Sequence, residues 1–439
     1  MNETSRRRKA PKPPVEATVR LLGWAPKGAT TADLDGRAVI VDRGIPGEVV
    51  EASFDRRRSP WRGMVTAVEE ASPARVEPPC PYYLQGCGGC QWQHLDYAAQ
   101  LQAKRQLADR ELEAAGSSAR VERVHAMDIP WRYRHTAAIA IGWEAGFHPR
   151  GRRGILEIHD CPISHPLIGR LAGRLNQLLR AETLPNYHGK VWLDCTVVGS
   201  RDSPSIQVVL QGIEGLTLES HPELPEVAAR IGEIEGVCSV AFRHRQGRTV
   251  ELVGPLFATV EVAGSPMYLA AGSFFQTNLD MVPQVIARMR SQLVGHAIRG
   301  AADVYGGVGT FGLPLSDSVE HMTIIELDPQ AADAARLTAE RRGATNVDVI
   351  GAHAEKALPT LPALDLIIVD PPRSGLGETV IEALLANGAA HIFYVSCAPG
   401  SLARDLAQME RGGYRVAALE LFDFYPQTYH IESLAVLRR

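Results

Sequence analysis

The stretch DVYGGVGTFG at residues 303–312 decides the fold of the C-terminal part of the chain. Gly307, Gly309 and Gly312 match the G-x-G-x-x-G pattern, in which glycines let the backbone turn tightly between a strand and a helix beside a nucleotide. Glu326 closes the next predicted strand, where a carboxylate can accept hydrogen bonds from both hydroxyls of a ribose. Because nicotinamide and adenosylmethionine enzymes both use the pattern, it predicts a nucleotide-binding α/β sheet without identifying the nucleotide.

Apolar runs and helical segments alternate strictly around this loop. The predicted strands cover residues 302–305, 322–325, 347–350, 366–369, 391–396, 415–421 and 433–437. Alternation of this kind predicts a doubly wound, Rossmann-like sheet. Only a short link joins the last two strands, so we expect them to pair antiparallel rather than through a right-handed crossover.

The composition indicates a soluble protein of several domains. A chain of 439 residues exceeds one ordinary core, and its 45% hydrophobic and 22% charged content is typical of globular proteins. No apolar run approaches the roughly 20 residues that a membrane helix needs. Seven unevenly spaced cysteines suit a reduced cytoplasm better than a disulfide framework. The net charge of −4 argues against a uniformly basic nucleic-acid binder, but residues 56–58 and 148–153 predict local basic patches that can attract a polyanion.

We divide the chain into four segments. Residues 1–14 read as a disordered basic arm. Residues 15–72 hold short β-type runs broken by turn residues, and this spacing predicts a small OB-like barrel. Residues 73–273 combine a cysteine cluster with mixed strands and helices and predict a central α+β domain. Residues 274–439 form the predicted C-terminal α/β domain.

Three features place chemistry at one edge of the C-terminal sheet. Cys397 follows the strand-like run at residues 391–396, at the edge where open α/β sheets bind ligands. Asp370 begins the rigid segment DPPR at residues 370–373, and Glu432 opens the last strand. An isolated cysteine is usually a core residue, but this placement makes Cys397 a candidate nucleophile. We expect the following helix N-terminus and Arg373 to lower its pKa from the usual ~8.5.

These groups favour one ligand and one reaction. The late position of the glycine loop, the antiparallel end of the sheet and the placed cysteine favour adenosylmethionine, because a dehydrogenase has no evident use for that cysteine. A thiolate, a methyl donor and a carboxylate base together fit methylation of C5 of a pyrimidine. Addition of the thiolate to C6 creates an enolate that accepts a methyl group at C5. A base then removes the C5 proton, and the thiol is expelled.

A second group of cysteines lies upstream. Cys80, Cys87 and Cys90 have the spacing C-x6-C-x2-C, and Cys161 precedes a proline. Three close thiols and a distant fourth can ligate an iron–sulfur cluster or a zinc ion. The spacing favours iron–sulfur and leaves zinc open.

Taken together, the motifs resemble those of the RNA (uracil-5-)-methyltransferases, in particular the iron–sulfur branch that acts on 23S ribosomal RNA and carries an N-terminal TRAM domain. The resemblance covers almost the whole chain after the first dozen residues. It depends on the four cysteines, FFQTN at residues 274–278, DVYGGVGTFG, DPPR, Cys397 and HIE at residues 430–432. The chain departs from the family pattern at Ala398, where asparagine is usual, at Gly306, where a cysteine or similar residue is usual, and in a first cysteine gap one residue longer.

The resemblance implies a role for each candidate residue. Cys397 is the expected nucleophile and Glu432 the expected base. The expected adenosylmethionine contacts are Gln276, Tyr305, Gly307, Gly309, Glu326 and Asp370. The expected ligands of a [4Fe-4S] cluster are Cys80, Cys87, Cys90 and Cys161.

We therefore predict a cytoplasmic, monomeric enzyme without a membrane partner that methylates C5 of a uridine in 23S rRNA. Transfer RNA is the alternative substrate. An alternative of another class is a cluster-bearing RNA-binding protein that has lost catalysis, for which Ala398 is the only support. A dehydrogenase is the most distant alternative.

Overall fold

The computed structural model describes residues 14–57, 59–212, 216–244 and 248–439. The basic arm predicted for residues 1–14 lies outside this part except for Pro14, and so does Arg58 of the first predicted basic patch. The chain forms two compact units. The first comprises the segment up to Pro79, Cys90–Ala103 and Gln427–Tyr429, and the second comprises Cys80–Gly89, Lys104–Pro426 and His430–Arg439. None of the helices in the described ranges is both long and apolar enough to cross a bilayer.

The strands of the first unit close into a small barrel. They are β1 (Val15–Ala25), β2 (Ala29–Leu34), β3 (Arg37–Asp42), β4 (Val49–Asp55) and β5 (Arg62–Glu70), with a 3-10 turn at Pro26–Gly28. Their order is β1-β2-β3-β5-β4, and β4 pairs with β1 to complete the ring. Alternate side chains point inward, so Val39 and Val41 of β3 and Val50 and Phe54 of β4 fill the interior. The predicted N-terminal barrel is confirmed.

Three elements follow the barrel. They are α1 (Pro81–Leu84), α2 (Tyr97–Ala115) and β6 (Arg123–His125). The helix α1 starts directly after Cys80, with proline at its first turn. Strand β6 was not predicted, because three residues are too few to show a periodic pattern.

The middle of the chain forms a mixed sheet with two helices. Its strands are β7 (Thr136–Ile141), β8 (Ala145–Phe147), β9 (Leu156–Glu157), β10 (Val191–Gly199), β11 (Pro204–Gly212), β12 (Val237–Arg243), β13 (Thr249–Val253), β14 (Phe257–Val262) and β15 (Ser265–Ala270), and its helices are α3 (Pro166–Arg180) and α4 (Leu224–Gly232). The order is β13-β12-β11-β10-β7-β8-β9, with β14 joining β10 and β15. Leu167, Leu171 and Leu175 recur every four residues along α3 and pack into the core of this sheet.

The C-terminal part forms the second sheet of this unit. Its elements are α5 (Val282–Leu293), β16 (Gly300–Val304), α6 (Gly312–Leu315), β17 (His321–Glu326), α7 (Pro329–Arg342), β18 (Val347–Gly351), α8 (Ala354–Ala357), β19 (Leu366–Val369), α9 (Glu378–Asn387), β20 (His391–Ser396), α10 (Pro399–Arg411), β21 (Arg415–Phe422) and β22 (Glu432–Arg438), with 3-10 turns at Ser316–Ser318 and Leu358–Thr360. The order is β18-β17-β16-β19-β20-β22-β21-β6. Neighbouring strands from β18 to β20 are parallel, whereas β22 pairs antiparallel with β20 and β21. The predicted doubly wound sheet and its antiparallel end are confirmed.

The strand order reverses between β16 and β19. The chain runs outward from β16 through β17 and β18, and then through β19 and β20 on the other side. In open α/β sheets the carboxyl ends of strands at such a reversal flank the ligand crevice. Tyr305 follows β16 and Asp370 follows β19. The fold therefore places both residues at this crevice.

Candidate active site

The glycine loop after β16 is held by hydrogen bonds to Glu326. The N–H groups of Gly307 and Asp328 donate to the two carboxylate oxygens of Glu326, at 2.8 Å and 2.6 Å. Gly307 and Gly309 adopt φ values of 56° and 86°, in the left-handed region that glycine tolerates best. A Cβ on Gly309 would also lie only 2.4 Å from the Cδ1 atom of Leu313. Glu326 thus stands at the end of β17 beside the loop, where a ribose-binding carboxylate is expected.

Asp303 lies buried beneath this loop and was missed by the sequence reasoning. Its Oδ2 accepts a hydrogen bond from the Gly312 N–H at 2.7 Å, and its buried Oδ1 has no hydrogen-bond partner. Burial and the nearby charge of Glu326 raise the pKa of Asp303 to about 7. A Cβ on Gly312 would meet Oδ2 at 2.7 Å, which explains the third glycine of the motif. An aspartate at the end of a buried strand was the available signal.

Gln276, Tyr305 and Asp370 meet the crevice from three segments. Tyr305 has φ 63°, a conformation that a non-glycine residue rarely adopts and that often marks a functional site. The side-chain amide of buried Gln276 donates to Oδ2 of Asp370 at 3.1 Å. Burial and repulsion from Asp303 raise the pKa of Asp370 to about 8, although the Gln276 hydrogen bond opposes this shift. Clustered carboxyl groups of this kind suit a cationic ligand.

Cys397 directly follows β20, and Glu432 opens the neighbouring strand β22. Ser396 and Ser433 form the last residue pair between these two antiparallel strands, and Cys397 and Glu432 are the residues next to that pair. The carboxyl group of Glu432 is near enough to the Cys397 thiol to raise its pKa. Glu432 is buried and Cys397 is half-buried. The fold therefore brings the predicted nucleophile and the predicted base together.

The prediction that the Cys397 pKa is lowered was wrong. Burial, together with the carboxyl groups of Glu432 and Asp370, raises the pKa of this thiol to about 11. Arg373 acts in the predicted direction, through its charge and a hydrogen bond to the sulfur, but burial is the larger effect. The resting group is therefore a thiol that Arg373 holds ready for ionisation.

The carboxyl group of Glu432 is strongly perturbed as well. Burial raises its pKa well above the ordinary value, repulsion from Asp370 adds to the rise, and Arg373 opposes it. A carboxylate with a raised pKa is a stronger base than an exposed glutamate. Glu432 thus has the electrostatic environment of a proton acceptor.

A segment before Glu432 adds residues whose importance the sequence did not reveal. Burial raises the pKa of Tyr425, and the charges of Glu432, Cys397 and Asp370 act in the same direction. The main-chain oxygen of Tyr425 accepts a hydrogen bond of 3.0 Å from Lys104, whose ammonium also contacts Asp423 at 2.5 Å. The position of Tyr425 in the stretch DFYPQTYHIE at residues 423–432 was the available signal.

His430 lies close to Arg373 and Tyr425, which both interact with Cys397. Its Nδ1 lies 3.5 Å from a guanidinium nitrogen of Arg373, and its ring lies edge-on to Tyr425 at 5.8 Å between centroids. Burial and the charge of Arg373 lower the pKa of His430 to about 4, so the ring is neutral near pH 7.

The four predicted cluster ligands are cysteines that form no disulfide in the part of the chain that the structure describes. Burial raises the pKa of Cys87, and interactions with Cys161 and Cys80 add to the rise, whereas the Gly89 N–H donates to the Cys87 sulfur and lowers it. Three of the four thiols thus interact within the second unit, and Cys90 is buried in the first. Among the described residues, however, no three or more cysteine, histidine or acidic side chains are already arranged to hold a metal ion. Four thiol donors fit the chemistry of an iron–sulfur cluster.

Comparison with known proteins identifies the family. Residues 258–439 match the family model described as tRNA (Uracil-5-)-methyltransferase. A protein of Halalkalibacterium halodurans named as an uncharacterized RNA methyltransferase is 31% identical over 449 aligned residues, which cover 96% of each chain. The 23S rRNA (uracil(1939)-C(5))-methyltransferase of Alkalilimnicola ehrlichii is 30% identical over 459 residues, covering 99% of this chain and 98% of that protein.

A solved structure supports the fold over nearly the full length. The Pyrococcus abyssi tRNA (uracil-54, C5)-methyltransferase, crystallised with S-adenosyl-L-homocysteine, superposes with a TM-score of 0.73 at 23% identity. The match covers 95% of this chain and 99% of that one. From the full-length relatives and the matching family model, we conclude that this chain belongs to the RNA (uracil-5-)-methyltransferase family.

Proposed function

We propose that this enzyme methylates C5 of a uridine in 23S rRNA, with Cys397 as nucleophile and Glu432 as base. The observation that carries the proposal is the proximity of these two side chains to each other and to Asp370, seen in their electrostatic effects on one another. The 23S rRNA assignment rests on relatives that carry that name and align over almost the whole chain.

Six residues would hold the methyl donor. They are Gln276, Tyr305, Gly307, Gly309, Glu326 and Asp370. Adenosylmethionine, when bound, supplies an electrophilic methyl group on a sulfonium. Two features support the fit. Glu326 flanks the loop as a ribose acceptor, and buried Asp303 and Asp370 are carboxyl groups whose ionised forms a cationic ligand would stabilise.

The chain's own residues supply the remaining chemistry. Cys397 loses its proton to solvent with help from the Arg373 hydrogen bond, and its sulfur bonds to C6 of the flipped uracil while the C5–C6 π electrons move into an enolate. C5 then accepts the methyl group that the donor would supply. Glu432 removes the C5 proton, the C5–C6 double bond re-forms and the Cys397 sulfur departs as a thiolate. A cationic donor beside Asp370 would favour the ionised form of the neighbouring carboxyl groups.

Transfer RNA remains the second candidate substrate. The matching family model carries a tRNA name, and the superposed Pyrococcus enzyme acts on tRNA by its title. Purified protein, labelled adenosylmethionine and separate unmodified 23S rRNA and tRNA transcripts discriminate the two. We expect 5-methyluridine at one position of the ribosomal transcript. Transfer to tRNA alone would reassign the substrate, and transfer to neither RNA would overturn the enzymatic proposal.

The cluster forms a separate part of the proposal. Cys80, Cys87, Cys90 and Cys161 would ligate a [4Fe-4S] cluster, supported by their spacing, by the interacting thiols around Cys87 and by its hydrogen bond from Gly89. Anaerobically purified protein should contain about four iron and four sulfide per chain. Stoichiometric zinc without iron would instead identify a zinc site. Cys195→Ser, which replaces a buried thiol outside the four, is the control and should leave the iron content unchanged.

Three further expectations complete the proposal. The barrel would act as a TRAM domain that contacts RNA, and the segments 15–72, 73–273 and 274–439 would act as successive domains. The enzyme would work as a cytoplasmic monomer. Light scattering at micromolar concentration tests the oligomeric state.

A further inference from the structure

A cavity of about 500 Å³ opens in the middle region of the second unit, away from the glycine loop. This volume lies within the range of small-molecule sites. We call it the His135–His165 cavity. The residues that matter to its chemistry are Arg132, His135, His165, Arg201, Glu261 and Asp280.

Two imidazole rings give the cavity flat, uncharged walls. The rings of His135 and His165 lie 5.6 Å apart between centroids with 34° between their planes. His135 is fixed by Nδ1, which donates to the main-chain oxygen of Tyr133 at 2.9 Å. His165 caps α3, where its Nδ1 accepts the Leu167 N–H at 3.3 Å, so the proton of its neutral ring lies on Nε2. Burial lowers the pKa of both rings, that of His165 to about 4, and both are therefore neutral near pH 7.

The charged lining does not favour an anion. Arg132 and Arg201 are balanced by Glu261 and Asp280 among the lining residues. Arg201 contacts Asp280 at 2.5 Å, and Arg132 contacts Asp160 at the same distance. A phosphate inside would meet no excess positive charge. A neutral, planar group with polar edges suits the aromatic walls and the Nε2–H donor of His165.

The cavity adjoins the catalytic crevice through one short segment. The main-chain N–H of His135 donates to the Thr277 oxygen at 2.8 Å, and the hydroxyls of Thr136 and Thr277 lie 3.1 Å apart. Thr277 directly follows Gln276, which hydrogen-bonds Asp370 at the crevice. Consecutive Cα atoms are about 3.8 Å apart, so a single residue, Thr277, links the wall that holds His135 to the side chain at the crevice.

We propose that the His135–His165 cavity binds a nucleobase of the substrate RNA that flanks the target uridine. The inference rests on the proposed function for the identity of the polymer. The flanking base packs against the imidazole walls while the target base enters the crevice beyond Thr277. Arg132 and Arg201, whose side chains are 42% and 85% exposed, line the same cavity and are accessible to the backbone of that strand.

The test asks whether the His165 side chain and one flanking base of the RNA contribute to the same binding interaction. The full-length protein is titrated with 23S rRNA transcripts that contain the mapped target uridine and an abasic nucleotide at one of the two positions on either side. Because stacking of one base on an aromatic side chain is strong, one abasic position should weaken wild-type binding about tenfold. His165→Ser keeps an oxygen acceptor for the Leu167 N–H and removes the ring. This variant should bind the intact transcript about tenfold more weakly and lose almost nothing further with that abasic transcript.

Controls make the result decisive. His321→Ser removes an exposed imidazole that pairs with Asp348 far from the cavity, and it should leave every affinity unchanged. If His165→Ser misfolds, Ser200→Trp fills the cavity from an exposed position. This variant should likewise bind the intact transcript more weakly and lose almost no further affinity with the abasic transcript. Equal affinities for His165→Ser and wild type, or purely additive losses at all four positions, would overturn the cavity assignment. Methyl transfer by the wild type is measured separately. Its absence would refute the proposed reaction, whereas the role of the cavity is tested only by whether the effects of His165→Ser and of the abasic nucleotide depend on each other.

Discussion

Replacement of Arg373 by Gln tests how the reactive thiol is ionised. Arg373 opposes the rise of the Cys397 pKa through its charge and through a hydrogen bond to the sulfur. Hydrogen bonds to charged groups contribute about 1.5–3 kcal/mol, and we use the lower end because the Arg373 side chain is exposed and screened by water. About 1.4 kcal/mol corresponds to about one pKa unit. We therefore expect the Cys397 pKa to rise from about 11 by about one unit in Arg373→Gln.

The assay is alkylation of Cys397 by iodoacetamide, followed by peptide mass spectrometry between pH 7 and 9. Only the thiolate reacts, so the rate should climb about tenfold per pH unit in both proteins while the pH remains well below the pKa. The Arg373→Gln line should lie about tenfold lower at every pH. Cys195 is an internal control, because burial raises its pKa strongly and Arg373 is not among the groups that shift it. Equal rates, or faster alkylation in the variant, would refute the role given to Arg373.

Three further outcomes follow from the same geometry. Glu432→Gln should still form the covalent RNA adduct but release it slowly, so a denaturant-resistant complex should accumulate on gels. Cys397→Ala should form no such complex, and an adduct in this variant would mean a different nucleophile. Lys104→Met leaves the charge of buried Asp423 unpaired and should reduce the free energy of unfolding, measured in urea titrations, by about 3–5 kcal/mol. Adding Asp423→Asn should restore part of this loss. A loss below about 1 kcal/mol would show that water reaches the pair. The folded-state pKa of Asp303 is about 7 against an ordinary 3.8. The native state therefore binds more protons than the unfolded chain in that range, and stability should fall as pH rises from about 4 to 7. Asp303→Asn should flatten this decline in the unfolding midpoint, whereas an unchanged slope would show that other buried carboxyl groups, Asp370 or Glu432, cause it.

Much of the C-terminal fold could be predicted because its strands are short and fully buried. The runs at Leu366–Val369 and His391–Ser396 were predicted with the bounds that the structure shows. Parallel strands covered on both faces appear in the sequence as continuous apolar runs between helices. The position of Cys397 followed directly, because the strand bounds fix which residue emerges at the sheet edge.

The remaining features depend on contacts between distant residues. Lys104 reaches Asp423 across 319 positions, and no local pattern reports such a pair. The direction of the Cys397 pKa shift also could not be predicted, because desolvation depends on how many atoms surround the sulfur. The cavity between His135 and His165 has the same origin, since its walls come from separate strands and a helix terminus.

The pairing of β20 with β22 has a consequence for how this protein family diversifies. Cys397 and Glu432 stand next to the last residue pair of β20 and β22, so strand pairing anchors the main chain on which both residues lie. Surface segments that meet the polynucleotide can therefore change length or composition while the reacting atoms keep their spacing. A one-residue deletion within β22 would instead turn Glu432 to the opposite face of the sheet. Segments on the surface can thus vary without moving Cys397 and Glu432.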